Sequence, residues 1–557
     1  MSDSGSGSLP PAVDVVPRLH VRDPDAWLRA ASWTVVVLAA LQILVFSFGR
    51  DQGIYALVGA GMLDGKVPYR DLWDFKPPGI FFVYALAQGV FGKSMLAPRL
   101  VEVGALLGIV FCSARLAQTF FGNRTVGYLA GAVVAIVHVE LDFWHTGQPE
   151  TFGGFFTFVG LVLATGEGNR KRRYARYALV GAAFGAAALL KPPLGGGALV
   201  CAAYLSTRER NREDSWRAAL KAVIALGAGA LLPVVACAAW FALKGGWAAL
   251  VWTLFDFTPG YTALGWEGRH APEMFYHALL EAFFKFSALG TAGVIAAITI
   301  SPMHHREREG VFLVLGVIAL HVTGIAMQGK FFQYHYAATL PLVMFVAGLG
   351  LYKLWRRCLT GGFGGALAFA AFVGVCIAMR YAIGDLPQDF WDRSAMRFRY
   401  LFRMAPYERR EALDEELGYV ADYNLSADRA VARELRVRTR AGAPIFVWGF
   451  EPVVYWLAER PPASRFIYNV PQRTRWEQGR ARADLLRDLR EHPPAAIVVQ
   501  KNDVFGMVTG NNLDSHDELP NFRELKALVD GRYDAATTIE DFDIYLRRGT
   551  EPATAAQ

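Results

Sequence analysis

Apolar residues are unevenly distributed along this chain of 557 residues. Dense apolar runs fill the stretch from Trp33 to Met379, and everything after Arg380 reads as ordinary soluble sequence with many charges. That one change restricts the fold more than any motif. Inside a bilayer every backbone N–H and C=O must find a partner within the protein, so a long apolar region interrupted by short polar loops folds as a set of membrane-spanning helices. A hydrophobic share of 53% and a mean hydropathy of +0.24 agree with membrane insertion.

A hydrocarbon core of roughly 30 Å takes about 20 apolar residues per helix, fewer where polar ends snorkel. Runs that meet this, some of them short, lie at residues 33–48, 100–121, 126–139, 151–164, 177–190, 194–205, 222–243, 286–300, 311–327, 337–352 and 363–379, giving about eleven spans. Orientation follows from Lys and Arg in short loops. Arg170 to Arg176, Arg208 to Lys221, His304 to Arg308 and Lys353 to Arg357 all fall on one side, which is cytoplasmic. The net charge of +7 is thus a topology signal and not a nucleic-acid footprint. The predicted organisation is a disordered cytoplasmic tail over residues 1–30, a transmembrane domain over 31–382 with an outer loop at 50–99, and a non-cytoplasmic α/β domain over 383–557. In that last domain strands are expected at 444–448, 465–468 and 495–499 and a hairpin at 536–547, with helices at 427–437, 451–458, 480–490 and 522–529. None of the five cysteines forms a CxxC, which argues against a disulfide framework or a structural zinc site.

Ionisable groups at membrane depth are functional hypotheses by default. Asp51 follows the first span directly; it suits a general base for an incoming hydroxyl, and equally a helix N-cap. Lys76 opens Lys76-Pro77-Pro78-Gly79, where two prolines can stiffen a turn and fix a point charge against a phosphate. Lys191-Pro192-Pro193 repeats the pattern, and for both lysines the alternative is snorkelling to the headgroups. Glu150, near Asp142 and His145, is a second outer acid able to share base or metal work, or a cap behind Pro149. Lys330 and Arg99 are further cations for a phosphate clamp, and Tyr55, Tyr69, Tyr334 and His335 are aromatic candidates for a pocket. His335, Asp142 and His145 also read as hydrogen-bonded structural residues. No HExxH, GxSxG, P-loop or dinucleotide fingerprint is present, so hydrolase and nucleotide chemistry lack support.

The loop from Asp51 to Tyr84, with its DQGIY, YRDLWDFKPPG and following FGKS and Arg99, resembles bacterial members of the GT-C glycosyltransferases. That superfamily includes protein O-mannosyltransferases and the lipid A aminoarabinose transferase. The resemblance implies a polytopic α-helical fold in a bacterial inner membrane, with the C-terminal domain in the periplasm. It also implies a sugar donor on a polyprenyl phosphate, inversion at the sugar, and a lipid, glycan or protein acceptor. Carried over by position, Asp51 is the base, Glu150 the second-loop acid and Lys76 the donor-phosphate lysine. Lys191 and Lys330 then match later basic positions, the latter with Tyr334 and His335. Asp51 is followed by Gln52 where some members carry a second acid, so no cofactor is expected with certainty and a divalent cation stays open. The alternative from another class is a transporter or flippase of a lipid-linked anion, which would use the same cations.

Overall fold

The computed structural model describes residues 23–166, 172–378, 390–420 and 423–549. Residues 1–22 of the expected tail and the expected domain boundary at 382–383 lie outside them. α1 (Pro24–Ile43) opens behind Asp23, whose side chain accepts from Asp25 N at 3.0 Å. It ends earlier than its apolar run suggests, because residues 44–49 unwind to lead into the first outer loop. That loop holds two short helices, α2 (Arg50–Leu63) and α3 (Gly79–Phe91). There follow α4 (Leu96–Phe121), α5 (Arg124–His145), α6 (Pro149–Thr165), α7 (Arg173–Leu190), α8 (Gly197–Glu213) and α9 (Trp216–Leu243). Short α10 (Trp247–Val251) and α11 (Thr258–Trp266) are joined by a π-helical turn. α12 (Ala271–Phe284), α13 (Ala288–Thr299), α14 (His305–Gln328), α15 (Leu340–Cys358) and α16 (Gly362–Ala378) complete the bundle.

Every expected apolar run carries a helix. Among the described residues six helical stretches are long and apolar enough to cross a bilayer, and α12 and α13, bent by 102°, form a further broken pair. One of the six, Leu340–Ala378, folds back at Gly362 (φ 64°), which brings Phe369 to 5.2 Å from Trp355 between ring centroids. It is therefore two antiparallel helices. The exposed apolar side chains of α16 and α9, among them Leu231, Leu232, Val235, Leu367 and Val375, suit a lipid environment.

The helices sort their ends by charge. α7 and α8 bring Arg173, Glu209 and Glu213 together at one end, with Arg173 Nη1 3.1 Å from Glu209. At that end too, Lys353 of α15 meets Glu307 of α14 at 3.4 Å, and Arg356 meets Asp25 of α1 at 3.7 Å. The opposite ends of α6, α7, α14 and α15 face the first outer loop.

After residue 390 the chain forms α17 (Phe390–Leu401), α18 (Arg410–Glu416), α19 (Leu425–Arg438) and α20 (Val453–Ala458) around a four-stranded sheet. The strands are β1 (Ile445–Trp448), β2 (Ala496–Gln500), β3 (Tyr533–Ile539) and β4 (Phe542–Arg547), in the order β1-β2-β4-β3. β1 and β2 are parallel, wholly buried, and linked through the helix Gln478–Glu491, as a parallel pair requires. The remaining pairs are antiparallel.

The strand expected at 465–468 is not in the sheet. Phe466, Ile467 and Tyr468 are buried, yet their partners come from the first outer loop: Trp73 N donates to Arg465 O at 2.7 Å, and Trp73 and Phe466 form an isolated bridge. A short apolar run reads alike whether it joins its own sheet or another layer.

Two further contacts weld this domain to the bundle. Arg50, at the start of α2, donates to Glu451 Oε1 at 2.6 Å. Asp142, at the kink that ends the regular part of α5, receives Arg393 and Arg397 of α17, and all three are buried. Breaking a buried ion cluster leaves uncompensated charge, at a cost of about 3–5 kcal/mol. Asp142→Asn should therefore lower the thermal midpoint of the purified protein by several degrees, while an exposed control such as Asp530→Asn leaves it unchanged.

Candidate active site

The first outer loop is built so that a helix starts at Asp51. Gly49 N donates to Gln52 Oε1 at 2.9 Å, which closes the first turn of α2. The Gln52 amide nitrogen then reaches the carbonyls of Phe143, Trp144 and Thr146 at 3.1, 3.2 and 2.6 Å. The end of α5 is thereby tied to the start of α2. At position 52 a carboxylate would face three carbonyl oxygens with no donor of its own. Gln in place of a second acid is thus a local necessity of this packing.

The turn that follows, Thr146-Gly147-Gln148, brings Gln148 to Asp51. Gly147 has φ 65°, and a Cβ there would sit 2.9 Å from Arg99 Nη1 and 3.1 Å from the Tyr84 hydroxyl, so only glycine fits. Gln148 Nε2 donates to Asp51 Oδ2 at 3.2 Å, while its Oε1 accepts from the Tyr55 hydroxyl at 2.9 Å. Lys76 Nζ lies 3.4 Å from the same oxygen of Asp51 and Tyr55 3.5 Å. Oδ2 takes all three contacts, and Oδ1 accepts no hydrogen bond from the described residues. The carboxylate thus keeps one oxygen for another partner; its side chain is 22% exposed.

Lys76 is held from behind. Tyr69, fully buried between the rings of Phe81 and Phe241, donates its hydroxyl to Lys76 O at 2.8 Å. Asp74, also buried, accepts from the Tyr468 hydroxyl at 2.6 Å. Burial pushes the Asp74 carboxyl up to about 6. Burial alone would pull the Lys76 ammonium down, but Asp51, Tyr334 and Tyr55 outweigh it and hold it well above the usual lysine value.

The two Lys-Pro-Pro turns pack together. A Cβ on Gly79 would come within 2.7 Å of the Leu189 carbonyl and 2.8 Å of Leu190 N, so the start of α3 presses on the end of α7 one residue before Lys191. Lys191 Nζ makes a short contact with Glu150 Oε1, and Glu150 Oε2 is buried without a partner. Between the lysines stands Tyr334: its ring centroid is 4.9 Å from Lys76 Nζ and 5.8 Å from Lys191 Nζ. Burial, then the neighbouring Lys76, pulls Lys191 down to about 8 against the pull of Glu150.

The remaining candidates separate. Lys330 donates to Met507 O at 2.8 Å and lies 4.1 Å from the ring of Tyr261. His335 Nδ1 donates to Lys330 O at 2.8 Å, and burial with Lys191 and Lys76 nearby keeps its ring neutral, well below the usual histidine value. It serves to shape the Lys330–Tyr334 turn. Tyr69 does not line the open face, as expected from sequence, but anchors the lysine turn beneath it. Arg99 also departs from its expected role. It is fully buried and binds Glu102 at 2.7 Å, Ser47 O at 2.6 Å, Phe143 O at 3.1 Å and Thr146 at 3.2 Å, so its charge holds three segments together and has no open side for a phosphate. Gln148 escaped the sequence reading, and Gln52 entered it only as the absence of a second acid, because neither carries charge. Their position beside Asp51 and beside Glu150 is the one signal that could have found them. As for a divalent cation, Asp51 and Glu150 each face a lysine. Asp514, His516 and Asp517 bring one ligand atom each within 4.8 Å of one another on the surface of the C-terminal domain, apart from these acids.

Residues 75–240, which contain both lysine motifs and Glu150, match the family model of dolichyl-phosphate-mannose-protein mannosyltransferases. Over nearly the whole length the fold is similar to ArnT from Cupriavidus metallidurans. The structure of ArnT bound to undecaprenyl phosphate has a TM-score of 0.53 at 15% identity, covering 94% of this chain and 98% of that one. The apo form gives 0.55 at 15% identity, over 93% and 97%. This is the GT-C fold. No curated protein sequence matches the chain.

The two lysines should titrate apart. Lys191 is a cation below about 8 and neutral above it, whereas Lys76 stays charged. Affinity for a phosphate-bearing ligand should accordingly decline as pH rises through about 8. In Lys191→Arg, whose guanidinium does not titrate there, the profile should stay flat. Binding titrations of both proteins across that range check this.

Proposed function

We propose that this protein is an inverting glycosyltransferase. It moves a sugar from a polyprenyl-phosphate donor to a hydroxyl of a lipid, glycan or protein acceptor on the extracytoplasmic face of a bacterial inner membrane. The observation that carries the reading is the arrangement of a carboxylate with one open oxygen, Asp51, beside two lysines that share the ring of Tyr334. The undecaprenyl phosphate held by ArnT in the same fold supports a lipid-linked phosphate as the ligand.

In this mechanism Asp51 Oδ1 accepts the proton of the acceptor hydroxyl as its oxygen attacks C1 of the sugar. The bond from C1 to the phosphate oxygen breaks on the opposite face, and the electron pair leaves with the polyprenyl phosphate. Negative charge grows on that phosphate in the transition state, and fixed cations aimed at it lower the barrier. Lys76 is such a cation, with Lys191 as the second, while Lys330 is engaged by Met507 O apart from them. Gln148 and Tyr55 fix Asp51 from one side so that its reactive oxygen faces outward. Glu150 holds Lys191 in place and supplies the second-loop acid. Donor binding draws Lys76 from Asp51 toward the phosphate, and the carboxylate then loses its counter-ion and becomes a better base.

The placement of the site on the membrane is supported by the sorting of charge. α7, α14 and α15 each have arginines or lysines at one end and lead at the other to Lys191, Lys330 or Tyr334, and α6 starts at Pro149 beside Glu150 and runs toward the basic stretch at 170–176. With the basic ends cytoplasmic, the site and the C-terminal domain lie outside, and eleven crossings give the required odd number. A transporter would need matched broken helices in two repeats. Among the described residues there is one strongly bent pair, α12 with α13.

Replacing Asp51 by Asn should reduce sugar transfer by about 10²–10⁴-fold, the usual worth of a positioned base, with donor binding retained. Near-normal turnover of purified Asp51→Asn would remove it as the base. Replacing Lys76 by Ala should weaken donor binding about 10–100-fold, the loss of one charge-assisted contact, and leave acceptor affinity alone. Unchanged donor affinity would overturn its role.

A further inference from the structure

α17, the first helix of the C-terminal part, is turned the opposite way from a helix of a soluble domain, which buries its apolar face. Its buried residues are Arg393, Ser394 and Arg397, and both arginines are engaged by Asp142. Residues three and four apart share a helix face. Ala395, Phe398 and Phe402 therefore form a stripe opposite those arginines, and the rings of Phe398 and Phe402 stack at 6.5 Å. Phe402 N still donates to Phe398 O at 3.0 Å, so the stripe runs unbroken into the closing turn. There the chain reverses at Arg403 (φ 52°), and Met404 N returns to Arg399 O at 2.8 Å. Leu401, Phe402 and Met404 share this exposed tip, where Phe402 is 72% and Met404 53% exposed.

The contacts of the other face set the depth of the helix. Phe390, its first residue, lines a small cavity with Ile136 of α5, Leu289 of α13 and Cys376 and Ile377 of α16. Ile136 precedes Asp142 by six residues, about 9 Å of helix. α17 thus begins beside the apolar part of the bundle. From there it reaches Asp142, where Arg393 also donates to Glu140 O at 3.3 Å, and Phe46 just past α1, whose ring centre lies 4.7 Å from the Arg397 guanidinium. The bundle is on the side of the arginines, and the stripe looks away from it at the level where the spanning helices end. Arg399 and Arg403, four apart, border the stripe and form no ion pair among the described residues. Between Phe390 and Arg410 stand six arginines and two acids, Asp392 and Glu408. A basic helix with an apolar stripe fits a membrane surface, where the stripe enters the acyl boundary and the arginines meet phosphates. A second copy of the chain would bring the same unpaired arginines into the contact, and like charges would oppose it.

We propose that α17 and the tip at 401–404 are a membrane anchor belonging to the C-terminal domain, lying in the headgroup boundary of the bilayer with lipid covering the stripe. The proposal goes beyond the transferase reading and holds without it. Its place in the molecule is specific: Asp142 stands one residue before Phe143, whose carbonyl accepts from both Gln52 and Arg99, so the anchor grips the turn that supports Asp51. The test uses the full chain with Cys112→Ser and Cys358→Ser, which remove the two partly exposed cysteines. Phe402→Cys, and separately Met404→Cys, is labelled with nitrobenzoxadiazole and placed in lipid nanodiscs at one copy per disc. Asp530→Cys, on the exposed last helix, is the control, and an unchanged thermal midpoint verifies folding of each variant. An interfacial helix sits about 5–10 Å deep. Emission at 402 and 404 should therefore shift to the blue of the control, and most of it should be lost to phospholipids carrying a nitroxide near the headgroup end of the chain. Iodide in the water should quench the control far more than either tip position. Iodide quenching at 402 and 404 equal to the control would overturn the proposal. A label shielded from both quenchers would overturn it too, because protein would then cover the stripe. Shielding that appears only at two copies per disc would assign the face to a second copy and overturn it equally.

Discussion

The close approach of Gly79 to the backbone of Leu189 and Leu190 determines where the charges of this protein meet. Each Lys-Pro-Pro turn, taken alone, would put a lysine at the membrane surface with nothing to act on. Because position 79 lacks a side chain, the start of α3 settles on the end of α7, and the two ammonium groups come to share one tyrosine ring. Two like charges this close repel, and each needs its own acid: Asp51 for Lys76 and Glu150 for Lys191. A pair of cations with matched counter-ions is stable empty. In the proposed function it becomes a phosphate site when a stronger anion replaces the acids as partner.

The C-terminal domain depends on the same loop. Its edge segment 465–468 adds to Trp73, its Tyr468 hydroxyl caps buried Asp74, and its Glu451 receives Arg50, the residue before Asp51. These contacts lie on both sides of Asp51 and immediately before the lysine turn. The domain thus acts as a clamp that sets the spacing between acid and cation. Positioning of this kind needs no reactive group of its own. It also explains why buried charge is tolerated at the join: each acid there has an arginine or tyrosine aimed at it.

Much of this was legible beforehand, for definite physical reasons. Apolar run length marks helices in a bilayer because composition and environment are coupled there, so the runs and the helices coincide. The charged candidates Asp51, Lys76, Glu150 and Lys191 were visible because ionised groups at membrane depth are costly and therefore conspicuous. Arg99 was conspicuous for the same reason, and its burial against Glu102 and three other groups shows the limit of that signal: a structural ion pair and a ligand clamp look alike in one dimension. Tyr69 was grouped with the pocket by its neighbours in sequence, whereas its ring direction is set by Phe81 and Phe241, which are distant in the chain. The run 465–468 failed as a strand because its pairing partner is about 400 residues away, beyond any local pattern.

Gln52 and Gln148 carry the least legible part of the site. Neither is charged, and both act through geometry: one ties α2 to the end of α5, the other links Tyr55 to Asp51. Gln52 uses its amide as a donor toward three carbonyls, a task that a second carboxylate at this position cannot perform. The Asp-Gln pair is then a choice between two uses of one position. This chain has secured the turn, and its remaining acid is left to work against lysines. Under the proposed mechanism the work of the base falls on Asp51 alone, since its own helix turn carries no second carboxylate.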